Sequence, residues 1–189
     1  MPLTATDICN RAIQLVGDNQ PPITGNAPTF DDSPAGVAAA NLYPLCVGAV
    51  GRQFGWDFAR KTVVLTPSGN TPSVLWTREY LYPTNGIQVW QLIPATIPDE
   101  NNPLPTTFSE CNTLVGSVQT KVIQTNLVAP LAVYNNNPGP EVWDTLFQMA
   151  VVRLLASCFA HALAGRPDLA DSLLQSYAGF EGVAERRPD

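Results

Sequence analysis

The sequence contains a single histidine, and this scarcity excludes several kinds of active site. A Ser-His-Asp triad, a Cys-His pair and most zinc sites need an imidazole, so each would have to use His161. That residue lies between two alanines, three residues after Cys158, and the chain offers no second pair of soft ligands elsewhere. The sequence therefore predicts a structural or surface histidine, no catalytic residue, no bound metal and no cofactor.

Basic residues are also few. Lysine and arginine together number 10 against 16 acidic residues, which gives a formal net charge of −6. Nucleic-acid binders usually present a basic surface, so sequence-specific DNA recognition is not expected. A protein that DNA passes without binding remains compatible with this charge, because few cations are available to replace the counterions on phosphates.

Paired cysteines and long apolar runs are missing as well. Cys9, Cys46, Cys111 and Cys158 lie far apart without Cys-x-x-Cys spacing. Buried, reduced thiols are the favoured interpretation, and a disulfide stays open as the alternative. No uninterrupted apolar run reaches the roughly 18–20 residues that a membrane span needs, so no membrane association is expected.

Hydrophobic periodicity and capping residues indicate four helices. Their predicted bounds are about 5–16, 34–54, 141–164 and 167–182. Thr4 and Asp7 have the spacing of a capping box at the start of the first. The helix over 141–164 has the broadest apolar face and is predicted to be the spine of the core.

The second predicted helix carries a proline in its interior. Ser33 is suited to the N-cap and Pro34 to the first helical position. Pro44 lies ten residues further on and removes one intrahelical hydrogen bond. A kink or break is therefore expected near Asn41.

A β-rich insertion is predicted over about 56–134. Strand-like runs with turn residues between them cover Trp56–Leu65, Phe108–Leu114, Ser117–Leu127 and Leu131–Tyr134. Asn85-Gly86 favours a primed hairpin turn. The predicted fold class is therefore α+β: one domain over 1–189, with a bundle of about four helices and a small antiparallel sheet or long hairpin in the middle.

Two groups of side chains within the insertion are candidates for function. The aromatic residues Trp76, Tyr80, Tyr82 and Trp90 would either cover the core of a small sheet or anchor a protein–protein interface. A carboxylate pair such as Glu79 with Glu110 would suit glycoside hydrolysis, although no spacing argues for it. The residues alone leave these alternatives open.

A set of segments spread along most of the chain carries a family resemblance. They are the helix Thr4–Gly17 before a proline-rich loop, Ala38–Leu45, Phe54-Gly-Trp-Asp-Phe-Ala-Arg-Lys61 with the strand Thr62–Thr66, Tyr80-Leu-Tyr-Pro83, Glu141–Leu163 and Leu173–Tyr177. In this order they resemble the tail tubular protein A family, the head-to-tail adaptors of short-tailed bacteriophages.

The resemblance implies a structural virion protein that is not an enzyme. Family members form a dodecameric ring under the portal vertex, with the tail nozzle attached below and DNA passing through without sequence-specific contacts. Each subunit has a helical bundle that carries the ring and a β-rich part that contacts neighbours. The expected location is the tail or neck of the virion, and the host cytoplasm during assembly.

On this interpretation the interface residues are Trp76, Tyr80, Tyr82, Trp90 and the C-terminal Arg186 and Arg187. The two arginines would pair with acidic portal surfaces. Two rival hypotheses stand beside it. One is a small carboxylate-based hydrolase or carbohydrate-active enzyme that uses Glu79 or Glu110. The other is a monomeric binding module that exposes Trp76, Tyr80 and Trp90 on one face.

Overall fold

A computed structural model describes residues 3–17, 21–72, 75–95 and 106–184, with side chains as far as residue 179. The chain divides into two compact units. The first, the helical unit, combines Met1–Phe54 with Pro138–Asp189, and the second, the β unit, is Gly55–Asn137. The predicted α+β class is confirmed, and the insertion predicted over 56–134 falls within the β unit.

Within the residues that the structure describes, four helices build the helical unit. They are α1 (Ala5–Val16), α2 (Pro34–Gln53), α3 (Thr145–Ala162) and α4 (Pro167–Ala184), with a hairpin of β1 (Gly25–Asn26) and β2 (Thr29–Phe30) between α1 and α2. The helix α3 packs against α1, α2 and α4, as predicted for the spine. Phe159 and Leu155 of α3, Ile8 of α1 and Val50 of α2 are among its fully buried side chains.

The predicted helix caps are confirmed. The backbone N–H of Thr4 donates to Asp7 at 2.9 Å, and the N–H of Asp7 donates to the Thr4 hydroxyl at 3.1 Å. Ser33 accepts from the N–H of Gly36 at 3.0 Å. Gly17 closes α1 with a φ of 68°, a left-handed conformation that glycine adopts without strain.

Two helix predictions need correction. The spine begins at Thr145 rather than at 141, because Asp144 accepts a hydrogen bond from the N–H of Phe147 at 2.8 Å and Pro140–Val142 form a separate 3-10 turn. The helix α2 runs through Pro44 without the break that was one of the two predicted outcomes. Proline removes only one backbone hydrogen bond, and the buried Cys46, Val47 and Val50 continue the packed face beyond it.

The prediction that no segment is apolar enough to cross a membrane also needs qualification. By length and composition alone, α2 and α3 are each long and apolar enough for a span. Core helices of globular proteins share these properties, and both helices pack within the helical unit. Their composition therefore assigns no membrane location.

Across its described residues, 55–72, 75–95 and 106–137, the β unit contains two three-stranded antiparallel sheets, which is more than the small sheet or hairpin predicted. Their strand orders are β3-β8-β5 and β4-β7-β6. The strands are β3 (Arg60–Val64), β4 (Arg78–Leu81), β5 (Gly86–Ile93), β6 (Phe108–Val115), β7 (Val118–Thr125) and β8 (Leu131–Asn136). The first run predicted as a strand, Trp56–Leu65, instead begins with a 3-10 turn over Asp57–Ala59.

Side chains from both sheets share one core. Its buried members are Leu65, Tyr80, Val89, Leu92, Ile123, Ala132 and Tyr134. The turn Pro83–Gly86, closed by the Gly86 N–H donating to the Pro83 carbonyl at 3.0 Å, joins β4 of one sheet to β5 of the other. The predicted primed hairpin is therefore wrong, because β4 and β5 do not pair with each other. A type I′ turn also needs a positive φ at both central residues, and here Asn85 has one, at 59°, whereas Gly86 does not.

Candidate functional site: interaction surfaces

Tyr80, one of the predicted interface anchors, belongs to the core of the β unit. Only 3% of its surface is exposed. Its hydroxyl donates to the carbonyl of Leu127 at 2.9 Å and accepts from the N–H of Ala129 at 3.0 Å. The interface prediction for Tyr80 is corrected accordingly, because the side chain connects β4 to the segment between β7 and β8.

Tyr82 lies two residues along on the same face and is half-buried. Its hydroxyl accepts from the N–H of Val89 at 3.1 Å. The ammonium of Lys121 lies 3.7 Å from the centre of its ring and also 2.7 Å from Glu110. Burial raises the pKa of Tyr82. The Tyr82 ring therefore packs against the Lys121–Glu110 ion pair at the margin of the core.

The remaining predicted interface residues differ in exposure. Trp90 is 39% exposed, whereas its neighbour Val89 is buried in the core. Trp76 is half-buried. Arg186 and Arg187 lie outside the described residues. With Tyr80 buried and Trp90 exposed, the four aromatic residues do not form one surface, so the binding-module hypothesis lacks its exposed face of Trp76, Tyr80 and Trp90.

Glu79 is a buried carboxylate held by three side chains. It accepts hydrogen bonds from the Ser68 hydroxyl at 2.8 Å, the Asn70 amide at 3.0 Å and the Gln124 amide at 2.8 Å. Burial acts to raise the pKa of Glu79, the three hydrogen bonds act to lower it, and the net pKa is below its ordinary value. Because its surface is only 5% exposed, the carboxylate serves to fasten the segment after β3 to β4 and β7.

Glu79 and Glu110 lie on opposite faces of their sheet. Glu79 is in register with Gln124 of β7, whereas Glu110 is in register with Ile123, the adjacent residue. Side chains of adjacent strand residues point to opposite faces. The two carboxylates therefore do not flank a common cleft, which is the arrangement that a carboxylate-pair hydrolase would need.

The cysteines are free thiols that differ in burial. Cys9 and Cys46 are buried, and burial raises the pKa of Cys9 to about 12. Cys111 and Cys158 are half-buried, and a hydrogen bond with Cys46 lowers the pKa of Cys158. His161 is exposed near the end of α3. Within the described ranges, no three His, Cys, Asp or Glu side chains are placed to hold a metal ion.

An aromatic cluster in the helical unit was not predicted as a group. Tyr43 stacks on Trp143 at 6.3 Å between ring centres, Trp143 meets Phe147 edge-on at 4.7 Å, and Phe30 meets Tyr43 at 6.3 Å. Beside it lies a cleft of about 400 Å³. Its lining comprises Leu3, Thr4, Ala5, Asn26, Ala27, Tyr43, Pro140 and Glu141. Because these residues come from distant parts of the chain, no local pattern could have identified the cluster.

A second unpredicted feature is an apolar groove of about 250 Å³ between α1 and α3, here called the α1–α3 groove. It is lined by Arg11, Leu15, Thr145, Gln148, Met149, Val152 and Arg153. Leu15 is 46% exposed and Met149 is 39% exposed. Both residues were visible in the sequence, but only the packing of α1 beside α3 places them together.

Exposed apolar side chains occur in the β unit as well. Leu114 and Val118, 60% and 66% exposed, lie near the tip of the β6–β7 hairpin, where Val118 directly follows the two-residue turn Gly116-Ser117 and Leu114 lies two residues before it. Val63 and Val64 are also exposed on β3, which is an edge strand.

The chain matches no protein-family model and no curated protein. Its functional interpretation therefore depends on its own residues and surfaces, together with the resemblance in its sequence segments.

Proposed function

We propose that the chain is a structural subunit of a phage head-to-tail connector. It assembles into a ring, joins the portal to the tail nozzle and lines the channel through which DNA passes. The observation that carries this proposal is the exposure of large apolar side chains in both units, at the α1–α3 groove and at the β6–β7 hairpin tip. Apolar side chains that are grouped on an exposed surface, unlike those scattered singly, commonly mark a protein–protein interface.

The arrangement of elements supports the same proposal. The segments that resemble the adaptor family lie on α1, on α2, on the 3-10 turn with β3, on β4 and on α3. This gives a helical unit and a β unit in the order that the resemblance implies. The net charge of −6 also suits a channel wall, because an acidic surface repels the DNA backbone rather than retaining it.

The carboxylate-enzyme alternative has less support. Glu79 is saturated by hydrogen bonds and Glu110 is paired with Lys121 on the opposite face of the sheet. If the chain were such an enzyme, removing either carboxylate would abolish turnover.

Mixing the purified chain with the portal protein of its own phage tests the proposal. We expect negative-stain images to show a ring of subunits docked on one end of the portal, and co-sedimentation to show the chain and portal together. A chain that stays monomeric and separates from the portal at every concentration would remove the proposal.

The C-terminal arginines supply a narrower test. We propose that Arg186 and Arg187 contact acidic portal surfaces, so replacing both with glutamate weakens docking. Unchanged docking of this double variant would remove the assignment for the tail and leave the rest of the proposal in place.

A further inference from the structure

Two cysteines of the helical unit meet across the packed helices α2 and α3. Cys46 lies on α2 and Cys158 on α3, and a hydrogen bond joins their thiols. Both thiols are free, and the two helices pack against each other. A disulfide needs sulfur atoms about 2.05 Å apart and Cβ atoms about 3.5–4.5 Å apart. Two cysteine side chains already in contact are therefore the starting arrangement for a bridge.

The two thiols differ in their access to solvent and in their acidity. Cys46 is only 4% exposed, whereas Cys158 is half-buried, so a reagent in solution reaches Cys158 first. The hydrogen bond with Cys46 lowers the pKa of Cys158. The same bond, together with burial, raises the pKa of Cys46. Because the thiolate is the nucleophilic form, Cys158 is the thiol that reacts first.

The other two cysteines lack this combination. Cys9 of α1 is fully buried, and burial raises its pKa to about 12. It interacts electrostatically with Cys46, but it offers no accessible thiol to begin a reaction. Cys111 lies on β6 of the β unit, and burial raises its pKa. Of the four cysteines, all of which the structure describes, Cys158 alone combines partial exposure, a lowered pKa and a thiol partner.

We propose that Cys46 and Cys158 are a redox-sensitive pair, which a small-molecule disulfide converts into a disulfide bridge between α2 and α3. The Cys158 thiolate attacks one sulfur of the reagent, so a mixed disulfide forms and the other half of the reagent leaves as a thiolate. Cys46 passes its proton to that thiolate and attacks the Cys158 sulfur, which expels the second half. The two protein thiols are thereby oxidised, and one reagent disulfide is reduced to two thiols.

The bridge has a consequence for stability. It joins two residues that have the whole β unit between them in the sequence. Cross-linking so long a loop restricts the unfolded chain, which makes the oxidised form the more stable one. Such thiols stay reduced in a reducing cytosol and oxidise outside it, so the environment sets the state of the pair. The inference concerns the helical unit and does not depend on the proposed function.

Oxidised glutathione, applied to the unmodified full chain under native conditions, tests the inference. The mass should fall by about 2 Da, for the two hydrogen atoms lost, and non-reducing peptide mapping should show Cys46 linked to Cys158. Dithiothreitol should restore the original mass. An unchanged mass, a glutathione adduct that persists in place of the bridge, or a bridge to Cys9 or Cys111 as the main product would each overturn the inference.

Serine substitutions separate the roles of the two thiols. Cys46→Ser removes the thiol that completes the bridge, so Cys158 should retain one glutathione. Cys158→Ser should slow reaction with the reagent by at least about tenfold. Cys111→Ser is the matched control, because Cys111 is also half-buried but belongs to the β unit, and this variant should form the bridge at the unmodified rate. Circular dichroism checks that each variant is folded. Equal rates for Cys158→Ser and Cys111→Ser would contradict the role assigned to Cys158.

The melting temperature tests whether the bridge fits the packed helices. The oxidised chain should melt at least about 5 °C above the chain kept in dithiothreitol. Cys46→Ser should show no such increase between the same two conditions. A bridged chain that melts at or below the temperature of the reduced chain would overturn the proposal that the bridge forms between α2 and α3 as they pack in the fold.

Discussion

The interactions that stabilise the helical unit and those that stabilise the β unit differ in the sequence separation of the residues that they join. In the helical unit, each identified N-cap uses residues three apart: Thr4 with Asp7, Ser33 with Gly36, and Asp144 with Phe147. In the β unit, Glu79 bonds to Gln124, 45 residues away, and Tyr80 bonds to Leu127, 47 residues away. The comparison shows why sequence patterns predicted the helices more accurately than the sheets.

The core of the helical unit should give the largest response to mutation. Phe159 is fully buried in the last turn of α3. Phe159→Ala removes most of a large side chain and leaves a cavity, so the free energy of unfolding should fall by about 4 kcal/mol. Denaturant unfolding followed by circular dichroism measures the change.

Met149 on the same helix provides the control, since it is 39% exposed. Met149→Ala should change the free energy of unfolding by about 0.5 kcal/mol or less. Equal losses for the two variants would contradict the assignment of α3 as the spine.

The buried carboxylate should dominate the β unit in the same way. Glu79→Ala leaves the donors of Ser68, Asn70 and Gln124 without their acceptor, at a cost of about 3 kcal/mol. Amide hydrogen exchange should become faster in β4 and β7 more than in α1 or α3, because Glu79 and its three partners all belong to the β unit.

Glu110→Ala tests the same sheet from its opposite face. Its ion pair with Lys121 is partly exposed, so the loss should be only about 0–1 kcal/mol. If Glu110→Ala destabilised the protein as much as Glu79→Ala, the structural role assigned to the Glu79 network would be wrong.

Tyr80→Phe should have an intermediate effect. The change keeps the buried ring but removes the hydroxyl that serves the carbonyl of Leu127 and the N–H of Ala129. We expect a loss of about 1–2 kcal/mol and faster hydrogen exchange at Ala129. A variant with unchanged stability and unchanged exchange would show that the Tyr80 hydroxyl does not stabilise the contact between β4 and the segment between β7 and β8.

Acid should destabilise both units, and each protonated carboxylate should lower the free energy of unfolding by less than the substitutions described above. The pKa of Glu79 and of Asp7 is lowered in the folded chain. For Asp7, hydrogen bonds from Thr4 are the cause. A lowered folded pKa contributes stability that is complete above the unfolded pKa, about 4, and is lost as pH falls through the folded value.

A melting-temperature series from pH 6 to pH 2.5 measures this loss. The melting temperature of the Glu79→Gln variant should decline less steeply with falling pH than that of the unmodified chain, because the variant lacks that titrating carboxylate. An unchanged slope would remove Glu79 from the acid response.

The sequence predicted what local physics decides. Thr4, Ser33 and Gly17 mark helix ends through contacts with near neighbours, and these predictions are confirmed. Asp144 carried an equally local signal, but the apolar Val142 and Trp143 extended the helical pattern past it. Asp144 is a favoured N-cap residue, and taking it as the N-cap predicts the observed start of α3 at Thr145.

The β unit could not be derived in the same way. Asn85-Gly86 indicates a turn, but whether the flanking strands pair or diverge into separate sheets depends on partners tens of residues away. The burial of Tyr80 and the opposite placement of Glu79 and Glu110 follow from that pairing. The α1–α3 groove likewise exists only once α1 packs beside α3.

Our central proposal is that this chain is a structural subunit whose exposed surfaces meet other subunits. Native mass spectrometry of the chain mixed with the portal protein of the proposed phage tests it most directly. The account predicts a complex containing many copies of the 20.3 kDa chain in a fixed ratio to the portal. A chain that remains a single copy in that mixture at every concentration would contradict it.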